Sequence, residues 1–126
     1  MKIIFVILLL SIFGFGCVTD DLNDVGGVFD TPSPSTAARW AIDYQDPDKC
    51  RQGLVLLSGA TFGGNEVYLK LYREYVETNA NPLVKSAAIA ALARHGKPQD
   101  ALLIAPWLKR DVSKSLNVRW TAAKGL

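Results

Sequence analysis

The amino-acid sequence predicts an all-α fold built from repeated helix pairs. From about Ser35 to its end, the chain is rich in residues that favour helices. Within this stretch one pattern recurs every 34 residues, centred on Arg51, Lys85 and Arg119. A fixed period of this length is typical of proteins in which each structural unit covers the exposed flank of its neighbour. We therefore expect about three antiparallel helix pairs in residues 35–126.

The N-terminal segment is typical of a bacterial secretory signal peptide. One lysine precedes an apolar run of 11 residues, 3–13, and small residues then lead to Cys17. As a helix this run would be about 17 Å long, which is too short for a hydrocarbon core of about 30 Å. Cleavage is therefore favoured over a spanning anchor, and residues 1–16 are predicted to be a signal peptide.

Cys17 directly follows Gly16, and this arrangement resembles the bacterial lipoprotein signal. In such signals the cysteine thiol receives a diacylglycerol and becomes the first mature residue. The resemblance implies an exported protein that is lipid-anchored through Cys17 to a bacterial membrane, at the outer membrane or the periplasmic face. Gly14 departs from the pattern, which usually has leucine at that position. Signal cleavage without lipidation and an uncleaved anchor are the alternatives.

Residues 17–34 are predicted to be a flexible linker that holds the folded part away from the membrane. They show no sustained periodicity, and Pro32 and Pro34 interrupt any helix.

The charge is divided unevenly along the sequence, since residues 17–48 carry seven aspartates against Arg39 alone. Residues 49–126 carry twelve Lys or Arg against five acidic residues. The basic residues are dispersed, which favours a solvated surface, and no nucleic-acid partner is expected.

Two sets of helices alternate in the repeat region. Three segments make up the first set: a short one from Ser35 to Asp43, then residues 66–76 and 98–108. Pro106 should kink or end the third segment, because proline lacks the N–H that a helix interior needs. The apolar residues of 66–76 recur at helical spacing, and we interpret them as packing against other helices: Val67, Tyr68, Leu71, Tyr72 and Tyr75.

The second set of helices carries the repeated pattern. Asp46 and Asn81 are predicted N-caps, and the prolines that follow them suit the first helical turn. The residue before each repeated basic residue, and those three, four and seven after it, lie on one helical face. These residues are Cys50, Leu54, Val55 and Ser58 around Arg51; Val84, Ala88, Ile89 and Leu92 around Lys85; and Val118, Ala122, Ala123 and Leu126 around Arg119.

Residues 81–92 and 115–126 resemble the second helix of a HEAT repeat, in which Val-Arg or Val-Lys is followed by alanine-rich positions and leucine. The resemblance implies a short right-handed α-solenoid over residues 35–126. In that family the basic residue commonly bonds to the turn of an adjacent repeat, a repeat-stabilising role that falls by position to Arg51, Lys85 and Arg119. A tetratricopeptide array has the same period, but its Trp, Leu-Gly and Tyr pattern is missing. The departures from the HEAT pattern are Cys50, Gly53 and the Gly63-Gly64 pair.

The sequence predicts no catalytic, cofactor-binding or metal-ligating residue. His95 is the only histidine, which removes the usual base of a catalytic triad and any multi-histidine metal site. Cys50 is expected to be a small buried residue, although a disulfide with Cys17 is the alternative if Cys17 carries no lipid. The three tryptophans, Trp40, Trp107 and Trp120, are expected in the core.

These features favour a non-enzymatic, membrane-anchored helical-repeat scaffold for protein–protein interaction in the bacterial cell envelope. It would bind the membrane through lipidated Cys17 and a protein partner through its repeats, without a cofactor or small-molecule substrate. The alternative is an accessory or lyase-like HEAT protein that acts on a bound cofactor or an anionic polymer. Because the pattern stops at Leu126 with no polar cap, we also expect the repeat region to be incomplete at its C-terminus.

Overall fold

A computed structural model describes residues 32–126 of the chain. The predictions for the signal peptide, for Cys17 and for nearly all of the linker lie outside these residues. Residues 32–126 contain helices and no strand, which confirms the all-α class. The six α-helices are α1 (Pro34–Ala41), α2 (Pro47–Gly59), α3 (Glu66–Thr78), α4 (Pro82–His95), α5 (Ala101–Ile104) and α6 (Leu116–Gly125).

The predicted N-caps are confirmed. The Asp46 side chain accepts hydrogen bonds from the backbone N–H groups of residues 48 and 49, at 3.1 Å each. The Asn81 side chain accepts from those of residues 83 and 84, at 2.9 and 3.3 Å. These bonds satisfy N–H groups that have no partner within the helix. Helix α1 starts in the same way, with Ser33 as its N-cap and Pro34 as its first residue.

Helix α5 is short because of Pro106. The segment begins as a 3₁₀ turn over Pro98–Asp100, continues as α5 for four residues, and tightens into a second 3₁₀ turn over Ala105–Leu108. Proline cannot donate to the carbonyl four residues earlier, and its ring would clash with that carbonyl. The predicted interruption at Pro106 is therefore confirmed.

Helix α4 occupies the centre of the packing. It contacts α2 and α6, the other two helices that carry the repeated pattern, and it also packs against α3. Helix α1 packs on α2, and the 3₁₀ turn over Ala105–Leu108 packs on α6. Each of the three pattern-bearing helices therefore has a first-set segment against it, and the three contact one another in chain order.

Burial of the repeated positions follows this order. The residues just before and three after the basic residue are buried in all three helices. Those four and seven after it are buried in α4, as Ile89 and Leu92, but Val55 of α2 and Leu126 after α6 are exposed. The difference arises because α4 has a pattern-bearing helix in contact on both sides. The positions buried in every repeat are Cys50, Leu54, Val84, Ala88, Val118 and Ala122.

Gly53 explains how α1 lies so close to α2. A Cβ atom at Gly53 would come within 2.6 Å of the Ala37 carbonyl oxygen and 2.8 Å of Ala41 Cα. Real side chains do not approach backbone so closely, so only glycine permits this contact. The glycine that departs from the HEAT pattern thus brings the backbones of the first two helices together.

The tryptophan predictions are only partly confirmed. Trp40 and Trp107 are half-buried, and Trp107 packs against the core. The core prediction for Trp120 is wrong, since 63% of this residue is exposed. Within residues 32–126 no helix covers that face of α6. Trp120 lies at helical spacing from other apolar residues of α6, but spacing alone does not show which faces of a helix have a neighbour.

Candidate interaction groove

An open groove of about 490 Å³ lies between α1 and α3. Helices α1 and α3 form its two walls. The apolar lining comes from both of these walls and from one residue of α2, and three charged residues contribute polar lining. Ligand-binding clefts in proteins are commonly of about 300–1,000 Å³ and mainly apolar, so the groove is large enough for several side chains of a bound segment. The lining residues are Ala38, Arg39, Ile42, Leu57, Val67, Tyr68, Lys70, Leu71 and Glu74.

Two large apolar side chains of the groove are exposed to solvent. Val67 on α3 is 77% exposed, and Ile42 at the end of α1 is 54% exposed. The prediction that Val67 packs against other helices is wrong, because the apolar surface of α3 is wider than its neighbours cover. Tyr72 and Tyr75 face the core and are fully buried, which confirms that part of the prediction. A cluster of exposed apolar side chains in a concave site marks a candidate binding surface.

A buried hydrogen bond ties the two walls of the groove together. The Tyr75 hydroxyl of α3 donates to the carbonyl oxygen of Ala41, the last residue of α1, at 2.7 Å. Cys50 Sγ donates to the same oxygen at 3.2 Å, and Cys50 is buried as predicted. Burial raises the pKa values of both Tyr75 and Cys50, so both groups stay protonated and can donate at neutral pH. The relative position of α1 and α3 at this end is therefore fixed.

The rim of the groove is charged. Arg39 of α1 and Lys70 and Glu74 of α3 are exposed. None of the three forms an ion pair with another residue of the described part of the chain. The rim thus offers two cations and one anion to whatever binds, and a bound segment with acidic residues would meet a net positive charge.

The three repeat-stabilising candidates have different surroundings. Lys85 on α4 is only 8% exposed, and its Nζ lies 3.4 Å from the centroid of the Trp107 ring. Desolvation by burial lowers the pKa of Lys85. Arg119 on α6 donates from Nη1 to the carbonyl oxygen of Ser113 at 2.8 Å. Lys85 and Arg119 thereby hold the segment between α5 and α6, whereas Arg51 is half-buried without a hydrogen bond to any described residue.

A charged network that the sequence did not indicate joins α3 to the start of the α5 segment. Arg73 donates from Nε and Nη2 to the two carboxylate oxygens of Asp100, at 2.7 and 3.0 Å. Glu66 accepts from Arg73 Nη1 at 3.0 Å and from Lys97 Nζ at 3.1 Å. Hydrogen bonding to Arg73 lowers the pKa of Asp100. The only sequence signal was the seven-residue spacing of Glu66 and Arg73, which places both on one helical face.

His95 has a structural role at the end of α4. Its Nε2 lies 2.6 Å from the Ser58 carbonyl oxygen, which is an acceptor, so the ring donates this bond. Gly63 and Gly64 lie directly against the ring, where a Cβ atom on either glycine would come within 3.1 to 3.3 Å of an imidazole nitrogen. The glycine pair that departs from the HEAT pattern therefore makes room for the contact between α4 and α2.

Residues 32–126 hold no group of three or more His, Cys, Asp or Glu side chains placed to bind a metal ion. None of their helices combines the length and the apolar character needed to cross a bilayer. The Tyr72 hydroxyl is the one side-chain polar atom in this part of the chain that is buried without a hydrogen bond, and burial raises the pKa of Tyr72 to about 12.

Comparison of the chain with protein-family models, with curated proteins and with solved structures returned no match. Among the described residues, the groove between α1 and α3 is the strongest candidate site.

Proposed function

We propose that this chain is a non-enzymatic, lipid-anchored helical-repeat scaffold that binds a protein partner in the bacterial cell envelope. Its N-terminus is proposed to direct export and to carry the lipid on Cys17. Residues 35–126 are proposed to form a short right-handed HEAT-like solenoid. The partner is proposed to bind in the groove between α1 and α3.

The solenoid proposal is supported by the agreement between sequence period and burial. Positions at the same place in the 34-residue pattern are buried in α2, α4 and α6 alike. These helices also contact one another in chain order, with α4 in the middle. In a solenoid each repeat packs mainly on its neighbours, which produces both features. Lys85 and Arg119 support a stabilising role for the repeated basic position, since each holds the segment before α6.

The binding proposal depends mainly on one observation: the groove exposes Ile42 and Val67 between two walls that a buried hydrogen bond fixes. When a partner covers exposed apolar side chains in a preformed concave site, the removal of apolar surface from water favours binding. Because the walls are already in place, a partner loses little free energy in ordering the site. The charged rim then adds specificity for the partner's own charge pattern.

Capture of bound proteins from membranes tests this proposal. The full chain, tagged at its C-terminus, would be recovered from detergent-solubilised membranes as wild type, as Val67→Asp and as Leu102→Asp. Leu102 is the matched control, because it is an equally exposed helical residue, 79% against 77%, and does not line the groove. We expect one recurrent partner whose recovery falls at least tenfold with Val67→Asp alone. Equal recovery with all three forms would show that the groove is not the binding surface.

A further inference from the structure

The groove between α1 and α3 is walled by helices, and this limits what can bind in it. All of its lining residues lie inside helices except Ile42, which follows the last residue of α1. The backbone N–H and C=O groups of a helix interior bond to each other, so the groove offers mainly side chains. An extended segment laid there would bury some of its own backbone groups without partners, which costs free energy. A helical occupant satisfies those groups internally.

The spacing of the lining residues also suits a helix. Those of α3 lie on one face of that helix and extend over about two turns, or about 10 Å: Val67, Lys70, Leu71 and Glu74. An amphipathic helix in a groove makes its contacts with side chains at positions i, i+3, i+4 and i+7, which cover the same length. We infer that the occupant is an amphipathic α-helix of the partner, with an acidic side chain on its apolar face. This inference rests on the proposed function and names the chemistry of the partner.

The rim of the groove selects the acidic side chain. Two of its three charged residues are cations, Arg39 on α1 and Lys70 on α3, and the third is the anion Glu74. Both cations are exposed, and neither forms an ion pair with a described residue. A carboxylate on the occupant would meet a net positive rim, whereas a lysine in its place would be repelled. Apolar contact supplies most of the binding, and the carboxylate distinguishes one amphipathic helix from another.

The walls also favour one direction for the bound helix. Tyr75, near the end of α3, bonds to Ala41 at the end of α1, so the C-terminal ends of the two helices lie side by side. Helix C-terminal ends carry partial negative charge, and Glu74, next to Tyr75, adds a full negative charge there. The N-terminus of a bound helix carries partial positive charge and is stabilised at this end. The occupant therefore runs antiparallel to α3.

Binding of synthetic peptides to the full chain tests the inference. Three fluorescein-labelled peptides would be rich in alanine, because alanine favours helix. The first has leucines along one helical face with a glutamate among them. The second has lysine in place of that glutamate, and the third is the first with a central proline that breaks the helix. Fluorescence anisotropy would be measured with the full chain in nonionic detergent, and detergent alone is the blank. We expect the glutamate peptide to bind at least tenfold more tightly than either of the others.

Two charge variants show whether the peptide binds in the groove. Lys70→Glu should abolish the preference for glutamate over lysine, because the rim would then carry one cation and two anions. Lys114→Glu is the matched control and should leave the preference unchanged. Lys114 is also exposed, does not line the groove and forms no ion pair with a described residue.

Several outcomes would overturn the inference. No binding of the glutamate peptide at about 1 mM would show that the groove does not accept such a helix. Equal affinity for the glutamate and lysine peptides would show that the rim does not select charge, and equal affinity for the proline peptide would show that no helix is needed. A preference that survives Lys70→Glu would place the binding elsewhere.

The test also separates this inference from the proposed function and from self-association. Sedimentation velocity that shows self-association of the full chain, reversed by the glutamate peptide, would assign the groove to a second copy and overturn the inference. Capture of a partner through Val67 does not depend on the peptides. If a partner is captured but no peptide binds, the groove takes an occupant of another shape, and this inference alone fails.

Discussion

Tyr75 and Ala41 are joined by a hydrogen bond that spans 34 residues, one full period of the repeated pattern. The hydroxyl of Tyr75 donates to the Ala41 carbonyl oxygen at 2.7 Å, and both residues are fully buried. Tyr72, one helical turn earlier, is equally buried, but its hydroxyl has no partner. These two buried tyrosines on one helix thus differ in whether the hydroxyl is hydrogen-bonded, which makes them a useful pair for comparison.

Tyr75→Phe is expected to lower the free energy of unfolding by about 1 kcal/mol, because it removes a buried hydrogen bond. Tyr72→Phe is expected to be neutral or stabilising by up to about 1 kcal/mol, because it removes a buried hydroxyl that has no partner. Urea unfolding followed by far-ultraviolet circular dichroism measures both. The same loss of stability in the two variants would contradict the hydrogen-bond assignment.

A second matched pair lies on α2. Gly53→Ala is expected to destabilise the protein by about 2 kcal/mol, because the new methyl group would overlap the backbone of α1 and push the helices apart. Gly59→Ala meets nothing within 4 Å and should stabilise by up to about 1 kcal/mol through higher helix propensity. Thermal unfolding of the two variants and the wild type measures both changes in stability. A stabilising Gly53→Ala would show that α1 does not contact α2 as described.

Acid should weaken the link between α3 and the start of the α5 segment. Arg73 lowers the pKa of Asp100 below its usual value near 3.8, so the pair contributes its full stability above that value. The contribution is lost as the pH falls through the folded-state pKa, which lies below about 4. Asp100→Asn should cost about 2 kcal/mol at pH 7 and flatten the fall of stability in this acid range.

Asp111→Asn is the control for that experiment, since Asp111 is exposed and has no ion pair among the described residues. Unfolding free energies would be measured from pH 7 to pH 2.5 for the wild type and both variants. If Asp100→Asn followed the wild-type profile at every pH, the charged network would have no part in stability.

The sequence predicted the regular features of the fold well. The N-caps at Asp46 and Asn81 and the break at Pro106 were predictable, because each depends on local backbone chemistry. Burial of Ala88 was predictable too, since the period places it on the face shared with other repeats. N-caps, proline breaks and helical periodicity all depend on residues that are only a few positions apart in the sequence.

The candidate site was far less predictable. The exposure of Val67 depends on how far α1 lies from α3, which no residue of α3 reveals. Asp100 pairs with a residue 27 positions away, and nothing in its own surroundings indicates that partner. Gly53 was noted only as a departure from a pattern, and its reason is the backbone of another helix. Features that depend on two elements meeting in space need the structure.

Lipid attachment gives a further prediction. If Cys17 carries the diacylglycerol, Cys17→Ser should abolish incorporation of labelled fatty acid and release the chain from membranes or leave it unprocessed. Cys50→Ala is the control, because Cys50 is buried in the folded part and should not affect labelling. Unchanged labelling of Cys17→Ser would rule out the proposed anchor.

The central claim is that a protein partner binds in the groove between α1 and α3. Site-specific photo-crosslinking in intact cells tests it most directly, with a photoreactive amino acid at position 67 or, as control, at position 102. The account predicts an adduct of one recurrent mass at position 67 and none at position 102. No intermolecular adduct at position 67, or the same adducts at both positions, would contradict it.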